Sequence, residues 1–346
     1  MQISRGRSCG ALSIPRSDGR LVPLLAAGLA AVALLLLVIG WLLPDATAYR
    51  AAVGFERWRA GLTATSVEVA GRPVPVLEGG DGEPIVLLHG FTGDKDNWTR
   101  VAAHLTGKFW IIAPDLPGFG DSLWDPDLPL SAYSVPAQTE WLAEFLDALG
   151  IRRAWLGGNS MGGNIAAAFA AKYPDRVAGL WLLAPLGAPG APPSEMDELI
   201  RAGRPAPLLP ESADGMRNRL SFAFSEPPWL PPGVIRHLGQ QVADRRNRYL
   251  AIRGQIRRTG EGGYPVAATP VEPLPESRDY DVLIVWGDAD RVLSPAGAEL
   301  LAAHVPGAGV VVMPGVGHLP MVERPARTAG DLLEFRAARS TDRNAR

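Results

Sequence analysis

The ten residues Leu156–Ile165 read L-G-G-N-S-M-G-G-N-I. Ala154, Trp155 and Leu156 form a short apolar run, Gly158-Asn159-Ser160-Met161-Gly162 is a G-x-S-x-G motif, and Asn164 to Ala171 is an Ala-rich helical stretch. The pattern predicts strand, sharp turn, helix. A serine at such a turn sits in strained backbone, and only small neighbours let strand and helix approach closely enough to hold it there. Gly158, Gly162 and Gly163 supply that room. Ser160 is therefore a candidate nucleophile at the edge of a sheet. Small residues also cluster in turns that carry no chemistry, so the motif needs support from the rest of the chain.

Outward from this stretch the chain repeats one theme. Pro84–Leu88, Trp110–Ala113, Leu180–Leu183, Val282–Trp286 and Val310–Met313 are continuous apolar runs of the kind found in strands buried on both faces. Helical patterns lie between them, at Val135–Leu149, Asn164–Tyr173, Ala296–His304 and Ala326–Phe335. Two further strand signals, Thr65–Val69 and Val74–Leu77, flank the turn Gly71-Arg72-Pro73. Buried strands alternating with helices predict an α/β fold with a mostly parallel, doubly wound sheet, spanning residues 63–185 and 276–340. The rhythm stops at residues 186–275, a Pro- and Arg-rich span with amphipathic pieces at Glu195–Ile200 and Val234–Ile256. That span reads as an inserted helical cap. Its bulky residues Phe222, Phe224, Trp229 and Tyr249 either line an acyl site or form the cap's own core.

The chain has 346 residues, a formal net charge of -2 and one cysteine, Cys9. Near-neutral charge gives no electrostatic basis for binding nucleic acid, and a single cysteine excludes an intramolecular disulfide and a Cys-based metal site. Residues 21–43 carry no charge and meet the requirement of roughly 20 apolar residues for a bilayer span. They read as one N-terminal membrane anchor behind a basic tail, residues 1–20. A cleaved signal peptide is the rival reading, with Ala46-Thr47-Ala48 as an A-x-A-like site, but its apolar core is usually about 7 to 15 residues and this run is longer. Arginines flank the run on both sides, and their count leans towards an inside N-terminus and an external folded domain. Residues 44–62 read as a juxtamembrane helix or linker, with Phe55 and Trp58 placed for the headgroup layer or for packing on the domain.

A serine hydroxyl needs a base, a group to orient that base, and donors for the oxyanion. His89-Gly90-Phe91-Thr92-Gly93 follows the strand Ile85–Leu88, so Phe91 N–H and Met161 N–H form a candidate oxyanion pair, with His89 as a buttress of the loop. The strand ending at Gly287 runs into Asp288 and Asp290, either of which can orient a histidine. Asp288 beside Gly287 also suits ordinary turn chemistry. Val310–Met313 leads through a Gly-rich loop to His318, giving the order Ser, Asp, His.

The motifs H-G-F-T-G (His89–Gly93), P-D-L-P-G-F-G-D-S (Pro114–Ser122), G-N-S-M-G-G (Gly158–Gly163), V-W-G-D-A-D-R-V-L (Val285–Leu293) and G-H-L-P-M-V-E-R-P (Gly317–Pro325) resemble the α/β-hydrolase superfamily. Within it the chain is similar to membrane-anchored monoacylglycerol lipases and related bacterial lipases. The resemblance implies an α/β-hydrolase fold with a cap, Ser160 as nucleophile and His318 as base. It places the acid three residues after Gly287, at Asp290 rather than Asp288. It also implies that Glu323-Arg324-Pro325 opens the last helix and that Asp115 shapes a loop without moving protons. The expected activity is hydrolysis of lipid carboxylic esters through an acyl-enzyme, with no cofactor or metal, and with Phe222, Phe224 and Trp229 as substrate-binding residues. For an anchored bacterial relative the expected location is the inner membrane with a periplasmic domain. Carbon–carbon bond hydrolases and cofactor-free haloperoxidases share the same three residues, so these fix scaffold chemistry and not substrate. Haloalkane dehalogenases use an aspartate where this chain has Ser160. A non-catalytic membrane-tethered binding protein is the third reading, disfavoured because such a protein has no use for all three residues.

Overall fold

The computed structural model describes residues 44–122 and 128–344. The anchor and basic tail expected at residues 1–43 lie outside them. Among the described residues no helix is long and apolar enough to cross a membrane.

The folded unit opens with helix α1 (Asp45–Arg59), followed by strands β1 (Thr63–Val69), β2 (Arg72–Gly79) and β3 (Glu83–Leu88). A short helix α2 (Thr99–Ala102) then leads to β4 (Phe109–Pro114), α3 (Val135–Ala148), β5 (Ala154–Asn159), α4 (Met161–Lys172) and β6 (Val177–Leu183). The cap contributes α5 (Glu195–Arg201), α6 (Met216–Ala223), α7 (Pro232–Asp244), α8 (Arg246–Ile256) and a hairpin of β7 (Arg257–Thr259) and β8 (Pro265–Ala267). The chain closes with β9 (Asp281–Gly287), α9 (Gly297–His304), β10 (Gly309–Met313), α10 (Pro320–Glu323) and α11 (Pro325–Asn344).

The main sheet has eight strands in the order β1-β2-β4-β3-β5-β6-β9-β10. Strands β4, β3, β5, β6, β9 and β10 run parallel, and β1 and β2 join antiparallel at one edge. All six residues of β5 are buried, which is why the sequence shows unbroken apolar and glycine runs instead of alternation. Period two still sorts the side chains between two cores. Val86, Leu88, Leu156, Leu180, Leu182, Val282 and Ile284 face α3 and α4, whereas Ile85, Leu87, Trp155, Trp181, Leu183, Leu283 and Val285 face α2 and α11. A slip of one residue would exchange the two sets, so the register is strongly specified.

From β3 the chain crosses to β4 on one side, and then returns to β5 on the other. The order therefore reverses between β3 and β5, and open α/β sheets bind ligands in the crevice beyond the carboxyl ends of strands at such a point. Those two ends carry the His89–Gly93 loop and Ser160.

Two segments differ from the sequence-based expectations. The amphipathic stretch Val234–Ile256 is two helices that break at Arg245, with φ -94° and ψ 2°. Asp244 to Arg248 contains no apolar residue, so no buried face holds one straight helix across it. The β7–β8 hairpin escaped notice because its three-residue strands lie in a span dominated by Gly and Arg. Helix α1 falls where a juxtamembrane helix or linker is expected, and it is tied to the cap and to the loop after β3. Asp45 accepts two hydrogen bonds from Arg236 at 2.6 and 2.9 Å, Tyr49 lies 4.6 Å from the His237 ring, and Arg57 holds Asp96 through two 2.7 Å bonds. Phe55 and Trp58 remain 57% and 75% exposed, with Phe55 at the edge of the large cavity described below.

Candidate active site

Ser160 stands between β5 and α4 with φ 53° and ψ -115°, backbone that a residue with a Cβ adopts only under strain. The turn is enforced by close approach. A Cβ on Gly162 would lie 2.1 Å from Leu88 O, and one on Gly158 would lie 2.3 Å from Gly162 O. The Ser160 carbonyl accepts from Asn164 N–H and Leu186 N–H, and its own N–H donates to Leu183 O, so the elbow is tied to both flanking elements.

The histidine loop after β10 is held from three sides. His318 N–H donates to Ala223 O at 2.8 Å, and Asn159 Nδ2 donates to His318 O at 3.1 Å and to Leu183 O at 3.0 Å. The Glu323 carboxylate accepts from Gly317 N–H and, in the cap, from Ser225 and Glu226 N–H. Glu323 therefore joins the loop to the cap, a larger task than opening the last helix.

His318 Nδ1 donates to Asp290 Oδ2 at 2.7 Å, and both residues are buried. The same oxygen accepts from Trp286 Nε1 at 3.1 Å, while Oδ1 accepts from Val292 and Leu293 N–H at 2.8 and 3.0 Å. Four donors on one carboxylate fix its orientation. Asp288 instead accepts from Gly315 N–H at 2.7 Å on the exposed side, which is turn chemistry. Ser160 and His318 line one cavity of about 440 Å³. No hydrogen bond joins their side chains among the described residues. Phe91 and Met161 N–H also lack partners among the described residues. A Cβ on Gly90 would lie 3.2 Å from Ser160 Cβ, so the loop before Phe91 packs directly on the elbow.

His89 is fully buried; its Nδ1 donates to Gly90 O at 2.8 Å and its Nε2 accepts from Leu116 N–H at 3.1 Å. Those partners set a neutral tautomer, and burial pushes its pKa down. Asp115 accepts from Lys95 N–H, Lys95 Nζ and Asp121 N–H, which fastens the loops after β3 and β4 together. Among the described residues no three His, Cys, Asp or Glu side chains stand together as a metal site.

The expected substrate-binding aromatics divide. Phe224 lines the cavity and Trp229, 70% exposed, stands at its rim. Phe222 does not line it; its ring is buried in the core under the Arg291 guanidinium, 4.4 Å from the ring centre. Tyr249 lies on the cavity wall, stacked on Phe119 and edge-on to Phe91. Sequence reasoning missed Asn159, Trp286, Asp94 and Arg219. Asn159 was in view inside the motif, but nothing in a sequence distinguishes it from any other x.

Asp94, on the cavity wall, has its pKa pushed up to about 7 by burial and by the charges of Asp96 and Asp115. A raised acid keeps its proton in the folded state at pH values where the unfolded chain has lost it. Folding is therefore opposed increasingly as pH rises from about 4 to about 7. Asn at this position keeps an oxygen for Asp96 N–H, which Asp94 Oδ1 now caps at 3.0 Å. Asp94→Asn is expected to raise the melting temperature at pH 8 and leave it unaltered at pH 4, as thermal unfolding at the two pH values will show.

The family model for the alpha/beta hydrolase fold matches residues 83–229. Lipase 3 of Moraxella sp. (strain TA144) is 35% identical over 293 residues, covering 82% of this chain and 88% of that one. Monoacylglycerol lipase ABHD6 of Homo sapiens is 26% identical, covering 75% and 77%. The crystal structure of a membrane phospholipase A superposes with a TM-score of 0.77 at 36% identity, covering 93% of this chain and 99% of that one. The chain belongs to the α/β-hydrolase family and, within it, to the carboxylic ester hydrolases that its lipase relatives exemplify.

Proposed function

We propose that this protein is a membrane-tethered serine lipase that cleaves monoacylglycerol-like lipid esters through an acyl-enzyme. Ser160 is the nucleophile, His318 the base, Asp290 the group that orients it, and Phe91 and Met161 N–H the oxyanion donors. The observation that carries this reading is the 2.7 Å bond from His318 Nδ1 to Asp290, at the wall of the cavity that Ser160 also lines. With Nδ1 committed as donor, Nε2 is the nitrogen left to take the Ser160 proton. The serine then attacks the ester carbonyl, the alkoxide of the tetrahedral intermediate is met by the two N–H groups, and His318 passes the proton to the departing alcohol. Water repeats the sequence to release the fatty acid.

The walls suit an amphiphile. Val53, Leu220, Phe224, Val234, Leu238 and Leu319 give the large cavity an apolar lining, and a second, mostly apolar chamber of about 40 Å³ meets it at Ser160 and Phe91. An anchor at residues 21–43, followed in sequence by α1 with its exposed Phe55 and Trp58, would hold the site near bilayer lipids and raise their local concentration. The balance of flanking arginines favours an external domain, periplasmic in a bacterium.

The test is turnover by the full purified chain of long-chain monoacylglycerol, triacylglycerol and short p-nitrophenyl esters of matched concentration. Among these three neutral esters the highest kcat/KM is expected on long-chain monoacylglycerol. Labelling by a fluorophosphonate with no ester turnover would transfer the reading to another reaction on the same scaffold, and no labelling would transfer it to the non-catalytic binder.

A further inference from the structure

Arg219 projects from cap helix α6 to the wall of the large cavity. Its Nη2 donates to Thr92 Oγ1 at 2.9 Å and to Thr92 O at 3.3 Å, beside the candidate oxyanion donor Phe91. Its Nη1 is buried and has no partner. No carboxylate forms an ion pair with this guanidinium among the described residues, unlike Arg57, Arg236 and Arg291, whose carboxylates lie at 2.6–2.7 Å. The charges that support it act without a hydrogen bond, from Tyr249 and then from Asp94. Burial works against the charge, lowering the pKa of Arg219, and Asp94 itself is held partly neutral near pH 7.

A latch between cap and loop would need only the two bonds to Thr92, which Nη2 alone makes. Leaving a buried guanidinium N–H unpaired is costly unless something else occupies it. The planar fork of arginine matches the oxygens of a phosphate or carboxylate. The same cavity already offers apolar walls for a chain and, under the proposed function, the nucleophile.

We infer that Arg219 is a specificity residue that seats the anionic headgroup of a lipid ester substrate, with its free Nη1 donating to a headgroup phosphate or carboxylate oxygen. This rests on the serine-lipase reading for turnover but not for binding. Anionic lysophospholipids are then favoured over neutral monoacylglycerols of the same chain. Nη2 keeps its hold on Thr92 while Nη1 binds, so cap position and headgroup recognition are joined in one side chain.

Two measurements on the full chain test this. In the first, hydrolysis of lysophosphatidylglycerol is compared with that of a monoacylglycerol of the same acyl chain. Arg219→Gln, which removes the charge and the fork, is expected to lower the ratio of the two kcat/KM values by about 10- to 100-fold, mainly through KM on the anionic lipid. Arg219→Lys, with charge but no fork, is expected to fall between. Equal losses on both substrates in Arg219→Gln would reduce the residue to a cap latch and overturn the proposal.

In the second, binding of dodecyl phosphate and of 1-dodecanol is followed by intrinsic tryptophan fluorescence, which needs no turnover. Dodecyl phosphate is expected to bind at least about tenfold tighter, an advantage lost in Arg219→Gln. Equal affinities overturn the proposal. So does displacement by inorganic phosphate at the concentration at which dodecyl phosphate itself binds, because the seat would then serve a free anion. An Arg219-dependent phosphate advantage without turnover of any ester would sink the lipase reading and leave the headgroup seat standing.

Discussion

Ser160→Ala is expected to lower ester turnover by about four to six orders of magnitude while the folded structure persists. The size of the effect follows from how the site divides its work. Under the proposed mechanism no acyl-enzyme forms without the hydroxyl, and His318 and Asp290 have no serine proton to manage. What remains is binding and the oxyanion donors, which in such sites sustain about 10³- to 10⁴-fold catalysis over water. The folded state should tolerate the change because the hydroxyl has no hydrogen-bond partner among the described residues, while the elbow is held by the Ser160 backbone. Alanine inherits the strained φ of 53° without increasing it. Initial rates on a p-nitrophenyl ester, fluorophosphonate labelling and a melting curve make the comparison. Turnover within tenfold of the wild type, in a protein with an unaltered melting temperature, would remove Ser160 from the mechanism.

The sheet was legible in the sequence because its physics is local in pattern. A strand buried on both faces must be apolar along its whole length, and Pro84–Leu88, Leu180–Leu183 and Val282–Trp286 satisfy that without reference to their neighbours. The elbow was legible for a related reason, since the contacts of Gly158 and Gly162 leave no room for a Cβ. Asp290 was the harder case. Residue chemistry alone left Asp288 and Asp290 open, and the resemblance selected between them; the structure gives the carboxylate of Asp290 four donors and that of Asp288 one loop amide.

The cap resisted reading because its side chains are sorted by tertiary contacts. Phe222 and Phe224 stand two residues apart at the end of α6, yet one lies under Arg291 and the other on the cavity wall. Helical period cannot distinguish them when the helix ends at Ala223 and the chain turns to extended backbone at Phe224. Arg219 was hidden for the same reason: a cation on a short polar helix is ordinarily solvated, and only the cap's placement over Thr92 buries it.

Asp290→Asn is expected to cost about 10⁴-fold in kcat, and the hydrogen bonds around it dictate why. Asparagine has one oxygen and one NH₂ where aspartate has two oxygens. Val292 and Leu293 N–H both point at Oδ1, so the asparagine oxygen is retained there and its NH₂ faces Trp286 Nε1–H and His318 Nδ1. The indole N–H then loses its acceptor. The imidazole can meet an NH₂ only by presenting Nδ1 as acceptor, which moves its proton to Nε2. A histidine with Nε2–H cannot take the proton from Ser160, so the geometry survives and the base is lost. Turning the amide over is no escape, because it sets the NH₂ against two backbone donors that cannot change. Asp288→Asn has none of these consequences: its oxygen can still accept from Gly315 N–H on the exposed side, and activity within about twofold of the wild type is expected. The discriminating measurement is the pair of kcat values on one ester, with KM and melting temperature recorded for both variants. Equal, small losses would show that neither carboxylate orients His318. A large loss in Asp288→Asn alone would reverse their roles.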